Sequence, residues 1–180
     1  SETNSFALTS LEANTTYYYA VAVSDKAGNV SDVTTGRFTT KKTVPTFEDA
    51  DIPTISGTYG QTLGSMTLSK TTDTSKNGIA GTWSITETNA DSIYPTVGAD
   101  TAYEITFTPD NETKYDVYTR TVVPAVEKKE LTISVTATDR DYEPRNNKVD
   151  ITVNLTGIVG SDSVSLENAN SLQGTLSAEN

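Results

Sequence analysis

Hydrophobic and polar residues alternate along most of this chain, whereas helical spacing is almost absent. The alternating stretches are rich in Thr, Tyr, Val and Ile and are separated by Gly, Asn, Asp and Pro. A period of two in such residues is typical of short strands with one buried face. A helix would instead place apolar residues three and four positions apart, and no window of about a dozen residues does so. The pattern therefore predicts an all-β fold class.

The chain divides into three blocks, residues 1–42, 43–127 and 128–180. A polar stretch that ends at Pro45 closes the first block, and Pro124 followed by the charged run 127–130 closes the second. Because proline holds the residue before it extended, we expect short and rather stiff joints. Polar residues at both ends suggest a piece of a longer protein.

The first block contains two predicted strands joined by a tight turn. Tyr17 and Tyr19 lie on the same face of the first strand, and we expect both in the core or at its corner. The turn is predicted at Asp25–Asn29, where Gly and Asn tolerate positive φ. The spacing from Leu11 to Tyr17 is typical of a corner at which a tyrosine hydroxyl hydrogen-bonds back to the preceding backbone.

The same residues resemble a known module. Leu11, Thr15 and Tyr17, followed by Asp25–Asn29 and Phe38–Thr40, resemble the C-terminal part of a bacterial fibronectin type III module. The resemblance implies a β-sandwich of which only the last strands are present, so the first module is expected to be incomplete.

The second block shows the clearest alternation. Its strongest strand is predicted at 103–109, with Tyr103, Ile105 and Phe107 on the buried face. The single tryptophan, Trp83, lies in another predicted strand and is expected to fill the centre of a sandwich. Residues 71–78 are predicted as a polar loop.

Four phrases in and beside this block resemble a repeat of large surface proteins. Tyr59–Leu63, Gly81–Trp83, Phe107–Asp110 and Lys128–Thr132 resemble, in this order, an Ig-like repeat of Gram-positive bacteria. The resemblance implies a small β-sandwich module that spaces other domains.

The third block alternates again, with Ile133 in one predicted strand and Ile151 in a second over 149–155. A turn and a third strand are predicted within 157–166. Both isoleucines are expected in a core. Residues Asp139–Glu143 and Thr156–Val164 resemble the YDG repeat of bacterial surface proteins, although this chain has Tyr-Glu-Pro where the repeat has Tyr-Asp-Gly. The resemblance implies a partial YDG-like β module, so the last module is also expected to be incomplete.

Charge and composition narrow the function classes. The chain has 13 basic and 24 acidic residues, a formal net charge of −11, and neither cysteine nor histidine. Disulfides, thiolate nucleophiles, Ser-His-Asp catalysis and the usual zinc sites are therefore excluded. The negative charge disfavours binding of nucleic acid or anionic lipid.

Carboxylates are the remaining reactive groups. Asp49 and Asp51 form one cluster, and Asp139, Asp141 and Glu143 form another. A hydrolase would need two of them facing each other in a cleft, and we predict no catalytic activity. The second cluster is a weak calcium candidate, since hard cations prefer oxygen ligands, but solvated acidic loops are the simpler interpretation and no cofactor is predicted. A Lys–Asn cross-link, which replaces disulfides in some surface sandwiches, is an open alternative.

We expect a non-catalytic spacer of a large bacterial cell-surface or secreted protein, located outside the cell at the surface or in the wall. Its partners would be neighbouring modules of the same chain and a host or cell-wall glycan or protein. No apolar run reaches the ~18 residues that span a bilayer, so this segment is not expected to insert into a membrane. The alternative is an adhesin or carbohydrate-binding module with exposed aromatic side chains. Its candidates are Tyr17, Tyr18, Tyr19 and Trp83.

Overall fold

The computed structural model describes residues 5–139, 141 and 151–165. This part is built from strands and three short 3-10 helices, so the predicted all-β class is confirmed. The strands are β1 (Thr16–Val21), β2 (Thr34–Thr39), β3 (Ile55–Thr58), β4 (Thr67–Leu68), β5 (Thr72–Thr74), β6 (Ala80–Ile85), β7 (Tyr103–Pro109), β8 (Tyr118–Val122), β9 (Ala125–Glu127), β10 (Thr132–Ala137) and β11 (Ile151–Thr156). The 3-10 helices are Asp49–Asp51, Leu63–Ser65 and Ala90–Ser92.

The second block forms two sheets. One has the strand order β4-β3-β9, and the other has the order β5-β6-β7-β8. All pairs are antiparallel except β3 with β9, where Ser56 lies opposite Ala125. In the larger sheet Trp83 on β6 lies directly opposite Phe107 on β7. The strand predicted at 103–109 therefore forms the centre of this sheet with its predicted bounds.

Among the described residues, the hydrophobic core lies in the second block. Trp83, Ile105 and Phe107 are buried there, as the alternation predicts. The other buried apolar members are Ile55, Leu63, Met66 and Ile79. Pro45, at the joint between the first and second blocks, is also fully buried. The joint thus ends inside the packed body of the second block.

The first and third blocks each contribute a two-stranded ribbon, β1–β2 and β10–β11. In the second ribbon Ile133 lies opposite Leu155, and Ala137 lies opposite Ile151. Opposed residues of an antiparallel pair share a face, so apolar residues occupy one face and Thr, Ser and Asn the other. The alternation therefore identifies the faces of both strands.

The prediction that Tyr19, Ile133 and Ile151 are core residues is wrong for the described structure. Their exposed fractions are 46%, 53% and 45%. Alternation predicts which face of a strand is apolar, but burial requires a second layer across that face. Within the described residues each ribbon is a single layer of two strands, so these side chains remain exposed.

Two short strands were not predicted. β5 lies in the segment predicted as a polar loop, and β9 lies within the predicted charged joint. Each has three residues, too few for alternation to register. No third strand forms in the described part of the range 157–166, which ends at Ser165. Leu166 and Val149 lie outside the described residues.

Candidate functional site

The linker between the first ribbon and the sandwich is paired with the sandwich through its backbone. The Thr43 N–H donates to the Lys114 carbonyl (3.2 Å), and the Asp116 N–H donates to the Thr43 carbonyl (3.0 Å). Thr43 thus forms a parallel bridge with Tyr115. Because its backbone groups are bonded to the second block, this joint is part of the folded body.

Side chains add further contacts at this joint. Asn14 Nδ2 donates to the Thr113 carbonyl (2.8 Å), and Lys42 Nζ donates to the Glu112 carbonyl (2.7 Å). Glu12 and Lys114 form an ion pair, whose hydrogen bond and charge lower the pKa of Glu12 and raise that of Lys114. We call this set the joint cluster; it consists of Glu12, Asn14, Lys42, Thr43 and 112–116.

Tyr17 connects the joint cluster to the first ribbon. Its hydroxyl accepts a hydrogen bond from the Glu12 N–H (2.8 Å), so the predicted tyrosine corner is confirmed. Its half-buried ring stacks on Phe38, with centroids 5.7 Å apart. Tyr17 therefore holds the backbone of Glu12, whose carboxylate reaches Lys114.

Trp83 belongs to an aromatic cluster inside the sandwich. Its ring centroid lies 4.9 Å from that of Phe47, 5.4 Å from that of Phe107 and 6.0 Å from that of Tyr118. With 3% of its surface exposed it cannot stack on a sugar, so Trp83 is excluded as a binding platform. Phe47 was not predicted; the apolar spacing of Val44, Pro45 and Phe47 around the joint was the available signal.

The indole N–H of Trp83 points at a carboxylate. Trp83 Nε1 lies 3.4 Å from Asp73 Oδ2, and the same oxygen lies 2.6 Å from Lys70 Nζ. Burial alone raises the pKa of Asp73. The hydrogen bonds from Lys70, the Thr74 N–H and Trp83, together with the charge of Lys70, outweigh burial and lower that pKa below its usual value. Asp73 is therefore a charged group that is held against the core.

The three consecutive tyrosines do not form one aromatic row. Tyr18 is 78% exposed and lies opposite Arg37, on the other face of the ribbon from Tyr17 and Tyr19. Tyr19 lies over Gly36, where an added Cβ would be 2.3 Å from the tyrosine hydroxyl. A shallow surface depression is lined by Tyr18, Tyr19, Ala20, Thr35, Gly36 and Arg37.

The described members of the predicted carboxylate clusters lie on the surface. Asp49 lies in the exposed 3-10 turn that also contains Asp51, and its carboxylate pairs with Arg120 (2.7 Å). Asp139 and Asp141 are exposed, while Glu143 lies outside the described residues. In the described ranges no three acidic residues are grouped as metal ligands would be. The calcium hypothesis stays a prediction.

A smaller contact connects the sandwich to the third block. The Tyr59 hydroxyl donates to Asp162 Oδ1 (3.3 Å), and the hydrogen bond and charge of Asp162 raise the pKa of Tyr59. An added Cβ at Gly60 would lie 2.8 Å from Val159, so the two turns touch. Gly60 has φ +92°, a conformation that glycine adopts without strain.

Comparisons with protein families, with curated proteins and with solved structures find no match to this chain. Across the described segments no helix is both long and apolar enough to cross a bilayer. Within the described residues, the features that bear on function are the contacts of the joint cluster and the exposed side chains of the first ribbon.

Proposed function

We propose that this chain is a non-catalytic spacer in a large bacterial cell-surface or secreted protein, where it holds other domains at a distance. The observation that carries the proposal is the joint cluster. A spacer transmits its length only if its modules do not hinge freely, and most links between domains do hinge. Here one backbone bridge with two hydrogen bonds, an ion pair and two side-chain hydrogen bonds connect the segments that flank the first ribbon to the sandwich.

The location and partners belong to the same proposal. The resemblances to fibronectin type III, Ig-like and YDG repeats all involve proteins of bacterial surfaces, and they favour an extracellular or wall-bound protein. Its immediate partners would be neighbouring modules of its own chain. The charge of −11 supports solubility in such a setting.

The stiffness of the joint can be measured with two spin labels. The natural sequence has no cysteine, so Thr35→Cys on β2 and Thr119→Cys on β8 create the two labelling positions. Both positions are exposed. Pulsed electron–electron double resonance should give one narrow distribution of the distance between the two labels if the ribbon and the sandwich move together. A broad distribution in this protein would contradict the spacer proposal.

A charge-matched pair of variants separates the joint cluster from general charge effects. Lys42→Ala with Lys114→Ala removes both lysines of the cluster and should broaden the distribution. Lys128→Ala with Lys129→Ala changes the net charge equally at exposed positions outside the cluster and should leave it narrow. Equal distributions for both pairs would show that the cluster does not hold the joint.

One observation favours a second candidate, a carbohydrate-binding or adhesive surface. Tyr18 is largely exposed beside Arg37, an arrangement in which a sugar ring can stack on the phenol and hydrogen-bond to the guanidinium. Titration with a soluble N-acetylglucosamine oligomer, followed by NMR, should shift the Tyr18 ring signals. Tyr18→Ala should abolish the response, whereas Tyr94→Ala, at another exposed tyrosine, should preserve it. Unchanged spectra of the natural protein would eliminate this candidate.

A further inference from the structure

The side chain of Asn77 connects the joint to a turn of the sandwich. Its Oδ1 accepts hydrogen bonds from the Thr46 N–H (3.1 Å) and the Ser75 hydroxyl (2.7 Å). Its Nδ2 donates to the Val44 carbonyl (3.1 Å). Between these contacts the Lys76 N–H donates to the Thr46 carbonyl (2.8 Å). We call this set of contacts the Asn77 clamp.

The clamp requires an amide in one orientation. The Thr46 N–H can only donate, so it must face an oxygen, and the Val44 carbonyl can only accept, so it must face the NH₂ group. A carboxylate would satisfy the Thr46 N–H but would place a second acceptor against the Val44 carbonyl. That carbonyl would then lose its donor and face a negative charge.

Asn77 is followed by Gly78, and the sequence contains no other Asn-Gly pair. Glycine has no side chain to shield its amide nitrogen, so Asn-Gly is the pair in which that nitrogen reaches the asparagine Cγ most easily. The Gly78 nitrogen bonds to Cγ, the Cγ–Nδ2 bond breaks, and Nδ2 leaves as ammonia with the proton of the Gly78 N–H. The new N–Cγ bond closes a five-membered succinimide ring. Water then opens this ring at either carbonyl, giving aspartate or isoaspartate.

The fold holds both reacting groups in place. The Gly78 N–H donates to the Ser75 carbonyl (2.8 Å), and the three hydrogen bonds of the clamp fix the Asn77 amide. Ring closure therefore requires that the turn first open. Asn77 is exposed, so water and hydroxide can reach it whenever opening occurs.

We propose that Asn77-Gly78 is a deamidation site that folding keeps closed, and that its conversion to aspartate or isoaspartate breaks the Asn77 clamp and loosens the segment Val44–Thr46. Deamidation at Asn77 would thus weaken the joint as the protein ages, whether or not the chain acts as a spacer.

The first test compares rates in the folded and the unfolded chain. The protein is incubated in mildly alkaline buffer with and without urea, digested with trypsin and analysed by tandem mass spectrometry. Deamidation at Asn77 should be about tenfold or more faster in urea, because local opening limits it in the folded state. Equal rates, or no deamidation at Asn77 in the unfolded chain, would overturn the proposal.

The second test measures the consequence. Asn77→Asp reproduces one product and should lower Tm by roughly 4–8 °C. Asn111→Asp is the matched control, because Asn111 Oδ1 accepts from the Lys114 N–H (3.2 Å) and a carboxylate can do the same. The deamidated natural protein, separated by anion exchange, should melt like Asn77→Asp. An unchanged Tm for both the variant and the deamidated protein would contradict the proposed role of the clamp.

Discussion

Trp83 combines aromatic packing with a polar contact inside the sandwich. It packs against three aromatic rings, and its N–H faces the carboxylate of Asp73. Both contacts depend on where β6 places the indole. Substitutions at these two residues therefore test packing and charge separately.

Trp83→Ala should destabilise the sandwich by about 3–5 kcal/mol, because it removes a buried ring and leaves a cavity among Phe47, Phe107 and Tyr118. Trp83→Phe, which keeps an aromatic ring, should cost clearly less. Urea unfolding followed by circular dichroism measures both. A Trp83→Ala variant as stable as the natural protein would contradict the core assignment.

Asp73 should make the stability depend on pH. Its pKa is lower in the folded chain than in the unfolded chain, where the pKa of aspartate is about 3.9. The stabilisation by the charged form is therefore present above about pH 4 and is lost as pH falls through the folded pKa. Near neutrality the free energy of unfolding should be lower for Asp73→Asn than for the natural protein, and this difference should shrink in acid. A difference independent of pH would show that the charge does not matter.

At the scale of elements, the two ribbons and the sandwich differ in how their hydrogen bonds are protected. β6 and β7 lie inside a four-stranded sheet with a buried face, whereas β1–β2 and β10–β11 are two-stranded and largely exposed. An isolated two-stranded ribbon is marginally stable in water. The ribbon that lies next to the joint cluster is therefore less stable than the central strands of the sandwich.

Hydrogen exchange should rank these elements. Amides of β6 and β7 should exchange slowest and those of β10 and β11 much faster, because local opening of a ribbon disrupts little buried surface. In β1–β2 the end near Tyr17 should be slower than the end near Val21, since only the former is held by the corner. Uniform protection across ribbons and sandwich would mean that the apolar faces are covered in solution.

At the scale of the whole molecule, the net charge of −11 acts against compactness. Four of the five ion pairs in the described ranges have both partners well exposed, and such pairs contribute little. Screening by salt should therefore weaken the repulsion among the excess negative charges more than it weakens the attraction within the ion pairs. Adding salt to about 0.5 M, where the Debye length is only a few ångströms, should raise Tm. A lower Tm in salt would show that the ion pairs outweigh the repulsion.

The sequence was sufficient to predict some features and not others. The buried positions of Trp83, Ile105 and Phe107 followed from alternation along strands, and the Tyr17 corner followed from local spacing. The ion pair between Glu12 and Lys114 did not follow from the sequence, because the two residues lie 102 positions apart and charged residues are common between them. Nor did the pairing of β3 with β9, which joins the two ends of the second block.

By itself, the sequence determined the all-β class and the apolar face of each longer strand, because side-chain direction along a strand is a local property. Only the tertiary structure decided which faces are covered. Phe107 and Ile133 both lie on alternating strands, yet one is buried by a second sheet and the other is exposed on a single layer. Burial and charge pairing depend on contacts between residues far apart in the chain, so no local sequence pattern predicts them.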